Sequence, residues 1–220
     1  MATTVEAKSR VQAPEPIAKP AWYRGRERLL FILLGIVALI AIAAWFIVAS
    51  GKRKEQFAAR SLNQARSAAE AGNLPLASSE LQRLITTYKG TDAASEAVLT
   101  LNQVRMVNGQ SELAAVGLRE YLAAKPAPKY VAPAYGLLGA ALENAKRTAE
   151  AGDAYAHAAE AADVEYLKAS YLIDAGRAYR AAGKTADAQR AYRSIITKYP
   201  KSPSFTEAQV RLAELTDGKM

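Results

Sequence analysis

Residues 172–200 read LIDAGRAYRAAGKTADAQRAYRSIITKYP, two helical patterns joined by a tight turn. Ala175, Gly176 and Ala178 are small and sit in the first pattern, where they let a neighbouring helix come close. Gly183-Lys184-Thr185 supplies the break, because glycine takes turn dihedrals without a Cβ penalty. The second pattern places Ala188, Tyr192 and Ile195 at i, i+4 and i+7, one apolar stripe of a helix. Pro200 ends it.

The same pattern returns at steps of 37 residues. Ala188 maps onto Ala151, Ala114 and Ala77, and Tyr192 maps onto Tyr155, Leu118 and Leu81. Ile195 maps onto Ala158, Tyr121 and Leu84. Gly183 maps onto Lys146, Gly109 and Gly72, and Gly176 onto Gly139, Asn102 and Ala65. Pro200 maps onto Asp163, Pro126 and Lys89. A fixed period in this range predicts a stack of helix pairs in which each unit buries its apolar face on the next.

The helices follow in order. Lys54–Ala71 pairs with Leu76–Tyr88, and Asp92 is a candidate cap for the helix after Gly90. Ala93–Val107 pairs with Ser111–Ala124 across Asn108-Gly109. Pro126, Pro128 and Pro133 predict a stiff linker before Ala134–Ala145, whose mate is Thr148–Ala161. The fourth pair starts near Glu165, and a last helix, Phe205–Leu215, is the first half of a fifth unit, expected to cap the stack. The predicted fold class is all-α, a helical-hairpin solenoid of about four units plus a capping helix, occupying residues 52–220.

Residues 1–21 are rich in proline and small residues and lack an apolar period, which predicts a disordered tail. Residues 22–51 form a separate element. No charge occurs from Leu29 to Gly51, a run that includes Gly35, Ala38 and Trp45. At ~1.5 Å per residue it spans the roughly 30 Å hydrocarbon core of a bilayer. Trp22, Tyr23, Trp45 and Phe46 stand where interfacial aromatics belong. The apolar run exceeds the ~7–15 residues of a signal-peptide core, so a retained single transmembrane helix is the expectation. Lys8, Arg10, Lys19, Arg24, Arg26 and Arg28 precede it, against Lys52, Arg53, Lys54, Arg60 and Arg66 after it. That balance leans toward a cytoplasmic amino terminus, with the repeats on the far side.

Composition narrows the chemistry. The 220 residues contain no cysteine, which excludes a disulfide framework, a thiolate zinc site and a cysteine nucleophile. The formal net charge is +8, but the cations of the repeat region are interspersed with acids, so nucleic-acid binding is not expected. His157 is the single histidine and has no evident ligand or base partner. No phosphate loop occurs, and the tyrosines from Tyr121 to Tyr199 fall mostly at packing positions. No catalytic residue, cofactor, metal or small-molecule substrate is predicted, and the chain is read as a non-enzyme.

The repeat resembles the tetratricopeptide repeat (TPR), most closely in Leu138, Gly139, Leu142, Ala151, Tyr155 and Ala158, and in Ala175, Gly176, Tyr179, Ala188, Tyr192 and Pro200. Its period is three longer than the usual 34. The resemblance implies that the first helix of each pair lines a groove for a partner protein. The groove positions it implies here are Arg66, Gln103, Met106, Glu143, Arg177 and Arg180. They differ from the Lys/Asn set with which some members clamp a carboxylate. With the anchor, the layout resembles bacterial inner-membrane proteins of the YfgM type, ancillary to the Sec translocon. That resemblance implies a single-pass protein of the cytoplasmic membrane with an extracytoplasmic solenoid. Its partners are then proteins of a membrane complex, and residues 29–51 contact the bilayer.

Overall fold

The computed structural model describes residues 27–216 and residue 218, with the side chains of Glu27 and Arg28 left aside. The tail 1–21 and the flanking residues Trp22 to Arg26 lie outside the described residues. Nine helices occur among those described: α1 (Glu27–Glu70), α2 (Leu74–Thr87), α3 (Asp92–Val107), α4 (Ser111–Ala123), α5 (Pro128–Asn144), α6 (Thr148–Ala161), α7 (Glu165–Ala181), α8 (Thr185–Lys198) and α9 (Phe205–Leu215). The chain divides into two units, 1–50 and 51–220, and α1 contributes to both.

In the first unit, α1 presents Leu29, Phe31, Leu34, Leu39, Trp45 and Ile47 outward, each about two-thirds exposed (65–69%). This stretch is apolar all round and buries almost none of its surface. It is the one helix among the described residues long and apolar enough to cross a membrane.

The second unit is the solenoid. Ala58, Leu62 and Ala65 of α1 pack on Ala77, Leu81 and Leu84 of α2, and this core continues into Ala97, Leu101 and Val104 of α3. A second cluster joins α4, α5, α6 and α7, and a third joins α7 and α8 to Ala208 and Leu212 of α9. The expected capping helix is thus packed on the last pair. Gln189 also donates from Nε2 to the Leu215 carbonyl at 3.2 Å.

All four turns inside the pairs are built alike. The backbone N–H groups of Gly72, Gly109, Lys146 and Gly183 donate to the carbonyls of Ala69, Met106, Glu143 and Arg180, and the next N–H reaches one residue further back. This is the Schellman closure, which requires a left-handed residue after the helix. All four residues have positive φ, +78°, +75°, +65° and +74° in order. Three are glycine and one is lysine.

Packing inside the pairs depends on close approach. A Cβ on Gly139 would lie 2.6 Å from the Tyr155 ring, and one on Gly176 would lie 2.4 Å from the Tyr192 ring. One period earlier the pair is Asn102 with Leu118, and two periods earlier Ala65 with Leu81. Where the facing residue is leucine instead of tyrosine, a residue with a side chain replaces the glycine.

Two expectations are corrected. Pro128 and Pro133 lie inside α5, which starts at Pro128, instead of forming a linker before Ala134. Proline at the first helical position costs no bond, and Pro133 removes only the hydrogen bond to the Lys129 carbonyl. Lys129 and Tyr130 anchor that first turn: Lys129 Nζ donates to Asp92 Oδ2 at 2.7 Å, and Tyr130 Oη to the Asp92 carbonyl at 3.3 Å. The cap of α3 is Thr91, whose Oγ1 accepts from the Ala94 N–H at 3.1 Å, and Asp92 is the first helical residue.

Candidate partner-binding surface

The six residues singled out in the sequence occupy two register positions of the first helices. Arg66, Gln103 and Arg177 share one, continued by Ala140 and Glu214; Met106, Glu143 and Arg180 share the other, which starts at Ala69. Between consecutive first helices, a residue at the second position meets the residue 34 further on, at the first position. Arg177 donates from Nη1 to Glu143 Oε1 at 2.7 Å and from Nη2 to Glu143 Oε2 at 3.1 Å. Arg180 donates from Nη1 to Glu214 Oε2 at 2.6 Å. At the two earlier junctions the equivalent residues are Ala69 with Gln103 and Met106 with Ala140, which are uncharged.

The cations expected to line the groove are therefore paired. Arg177 also donates to Asp174 Oδ1 at 3.1 Å, and Arg66 donates to Glu96 Oε2 at 3.0 Å across α1 and α3. Burial works against the Arg177 charge, but the hydrogen bonds to Glu143 and Asp174 outweigh it and hold its pKa above the ordinary value. Burial pushes the Asp174 carboxyl up, opposed by Arg177. Tyr155 donates its hydroxyl to Glu143 Oε2 at 2.8 Å, so the inner end of this rung is tied to the core of the third pair. Burial first, then the bond to Glu143, pushes the Tyr155 phenol above its usual range.

Arg66 and Gln103 share one cleft of about 330 Å³, lined also by Ala69, Leu74, Val104 and Val107. Val107 is 76% exposed, an apolar side chain beside the Arg66–Glu96 pair. Glu143, Arg177 and Arg180 lie on other helices and do not join this cleft. Met106 packs against the second core cluster.

A larger groove escaped the sequence reading. It holds about 490 Å³ between α2, α3 and α4, with Ile85, Val98, Leu101 and Tyr121 as apolar walls and Asn102, Arg105 and Glu120 as polar ones. Asn102 is 1% exposed, at the position occupied by glycine in the two later pairs. Its Nδ2 donates to the Val98 carbonyl at 2.9 Å and its Oδ1 accepts from Arg105 Nη1 at 3.1 Å, so its polar atoms are satisfied. The Tyr121 hydroxyl is buried there without a hydrogen bond of good geometry. An asparagine at the glycine position, with Gly117 beside it, was the available signal.

His157 is exposed, 3.2 Å from Glu160 Oε2, with its ring centroid 5.3 Å from that of Tyr135. Among the described residues no cluster of three or more His, Asp or Glu could hold a metal ion.

Comparisons with known proteins bear on the fold. A tetratricopeptide-repeat family model matches residues 172–202, the last full pair. No curated protein matches the chain significantly. Among solved structures, the crystal structure of MamA protein superposes with a TM-score of 0.56 at 20% identity, covering 74% of this chain and 82% of that one. The Podosopora anserina putative kinesin light chain, described as nearly identical TPR-like repeats, superposes with a TM-score of 0.56 at 19% identity, covering 72% and 84%. At such identities the likeness carries the fold. The chain is an all-helical, TPR-like solenoid with a repeat of the tetratricopeptide type at residues 172–202.

Proposed function

We propose that this protein is a membrane-anchored, non-catalytic scaffold that recruits or steadies protein partners of a membrane complex. The observation that carries the reading is the union, in one chain, of an unburied, uncharged apolar helix of bilayer length with a TPR-like solenoid. The anchor is residues 29–51, with the amino terminus cytoplasmic and the solenoid extracytoplasmic on a bacterial inner membrane, as in the YfgM-type layout. Anchoring raises the effective concentration of solenoid and partner, so weak surface contacts suffice. Partner contact uses the strip of Arg66, Gln103, Met106, Glu143, Arg177 and Arg180. Arg66, Arg177 and Arg180 remain roughly half exposed while paired, so a partner meets a patterned strip of fixed charges.

Gly35 supports a second reading, a structural subunit held mainly by its transmembrane helix. A Cβ there would meet nothing within 4 Å, which leaves its side of the helix open to close packing by another helix. One experiment separates the two. Membranes are solubilised gently, and partners captured by the full chain are compared with those captured by full chains carrying Arg66→Glu with Gln103→Glu, or Gly35→Leu. Loss with the first variant alone supports the scaffold; loss with the second alone supports the structural subunit. A reporter on the carboxyl terminus that signals from the cytoplasm overturns the orientation. Turnover by the purified protein that one substitution abolishes overturns the non-catalytic assignment.

A further inference from the structure

The two edges of the solenoid differ in charge. One edge carries the starts of the first helices and the loops that join successive pairs. The other carries the turns inside the pairs. On the joining edge, Glu55 of α1 places its carboxylate on the start of α3, accepting from the Asp92 N–H at 2.9 Å and the Ala93 N–H at 2.8 Å. One period on, the Asp92 carboxylate is held by Lys129, which also keeps its pKa below the usual range. Glu55 and Asp92 are thus occupied. The cations beside them, Lys52, Arg53, Lys89 and Lys125, are exposed and form no ion pair among the described residues, where Lys54 donates to the Lys89 carbonyl at 2.8 Å. On the opposite edge Arg147 is shared by Glu112 and Glu150 and Arg190 is paired with Asp187, while Lys146 and Lys184 are exposed and lie far from the anchor in sequence.

We infer that the joining edge of the solenoid is a docking surface for an anionic phospholipid bilayer. The inference rests on the proposed anchoring, since the chain enters the solenoid at this edge through Lys52, Arg53 and Lys54, directly after the apolar run. Lysines on loops suit headgroups: each is a flexible point charge that meets a phosphate without a fixed geometry. Attraction of basic residues to an anionic leaflet acts within a Debye length, about 8 Å at 0.15 M salt, so only the edge itself contributes. With neighbouring loops on one line, Lys89 and Lys125 extend the basic surface beyond α1 to the second and third pairs.

The chain lacks cysteine, so single labels are available. Ala127 on the joining edge and Gln110 on the other are both exposed helix caps whose side chains make no cap hydrogen bond. The full chain bearing a fluorophore at Ala127→Cys or Gln110→Cys is reconstituted into vesicles of phosphatidylcholine, alone or mixed with phosphatidylglycerol, containing a headgroup-linked quencher. The expected result is quenching at 127 that increases about twofold when phosphatidylglycerol is added and reverses in high salt, with little change at 110. Lys89→Glu with Lys125→Glu removes the increase, while the charge-matched Lys146→Glu with Lys184→Glu on the opposite edge keeps it. Equal quenching in both lipids, or equal effects of the two double variants, overturns the inference. Alkaline carbonate extraction of the same vesicles tests the anchor separately, because a stripped chain refutes anchoring whatever the labels report.

Discussion

Glu143 and Arg177 join α5 to α7 by two hydrogen bonds, and one unit later Arg180 and Glu214 make the same connection with the signs exchanged. Where the junction is charged, it accepts either order of the opposite charges, and the two earlier junctions are uncharged. Glu143 is the less exposed partner at 20%, against 52% for Arg177, so losing the arginine costs more than an average surface pair. Arg177→Ala should destabilise the solenoid by about 1 kcal/mol, and a double-mutant cycle with Glu143→Ala should give a coupling of about 0.5–1 kcal/mol. Denaturant unfolding of the four chains measures both. A coupling near zero would show that solvent screens this rung entirely.

Gly176 faces the Tyr192 ring so closely that no side chain fits. Gly176→Ala gains helix propensity, about 1 kcal/mol, but must displace a fully buried ring. The overpacking should win, with a net loss of about 1–2 kcal/mol. Adding Tyr192→Leu to the same chain should recover most of it, because Ala65 with Leu81 is that combination in the first pair. Thermal melts followed by circular dichroism decide this. A double variant no better than the single one would sink the volume argument.

The period of 37 was enough to read the pairs, their turns and the final helix, because each repeat presents the same apolar stripe to its neighbours. The partners of Arg66, Arg177 and Arg180 were not readable. They lie 30 and 34 residues away, not 37, since consecutive first helices pack with an offset of one or two turns that no local pattern records. The first turn of α5 was missed for a related reason. Proline argues locally against helix at 128–133, and the tie of Lys129 and Tyr130 to Asp92 overrides it from 37 and 38 residues away. The groove around Tyr121 was hidden because its walls come from three helices.

Among the four turns inside the pairs, only the one at Lys146 holds a side chain at positive φ, +65°, while its three counterparts are glycine. A left-handed residue with a Cβ costs roughly 1–2 kcal/mol, and glycine returns part of that through the entropy of the unfolded chain. Lys146→Gly should raise stability by about 0.5–1 kcal/mol, and Gly109→Lys should lower it by a similar amount. Opposite shifts in the denaturation midpoint at unchanged slope are the expected reading. Shifts of the same sign would mean that the lysine side chain contributes contacts that offset its strain.

Alkaline pH should destabilise the solenoid through its buried tyrosines. The phenols of Tyr155 and Tyr179 are pushed well above the ordinary 10.0, first by burial and then by donating to Glu143 and Asp153. Burial also raises those of Tyr171 and Tyr192. A group whose folded pKa exceeds its unfolded one binds its proton more firmly in the native state. The stability it contributes is complete below pH 10 and declines as the pH climbs from there toward the raised values, because the unfolded chain gives up its protons first. Unfolding free energies measured from pH 8 to 12 should thus be flat at first and then fall, with tyrosinate absorbance appearing together with loss of helix. Tyr155→Phe removes one of these protons and should reduce the slope above pH 10, even though it costs about 1 kcal/mol at neutral pH through the lost bond to Glu143. Tyrosinate formation that precedes any loss of helix, or a slope the substitution leaves unchanged, would rule this linkage out.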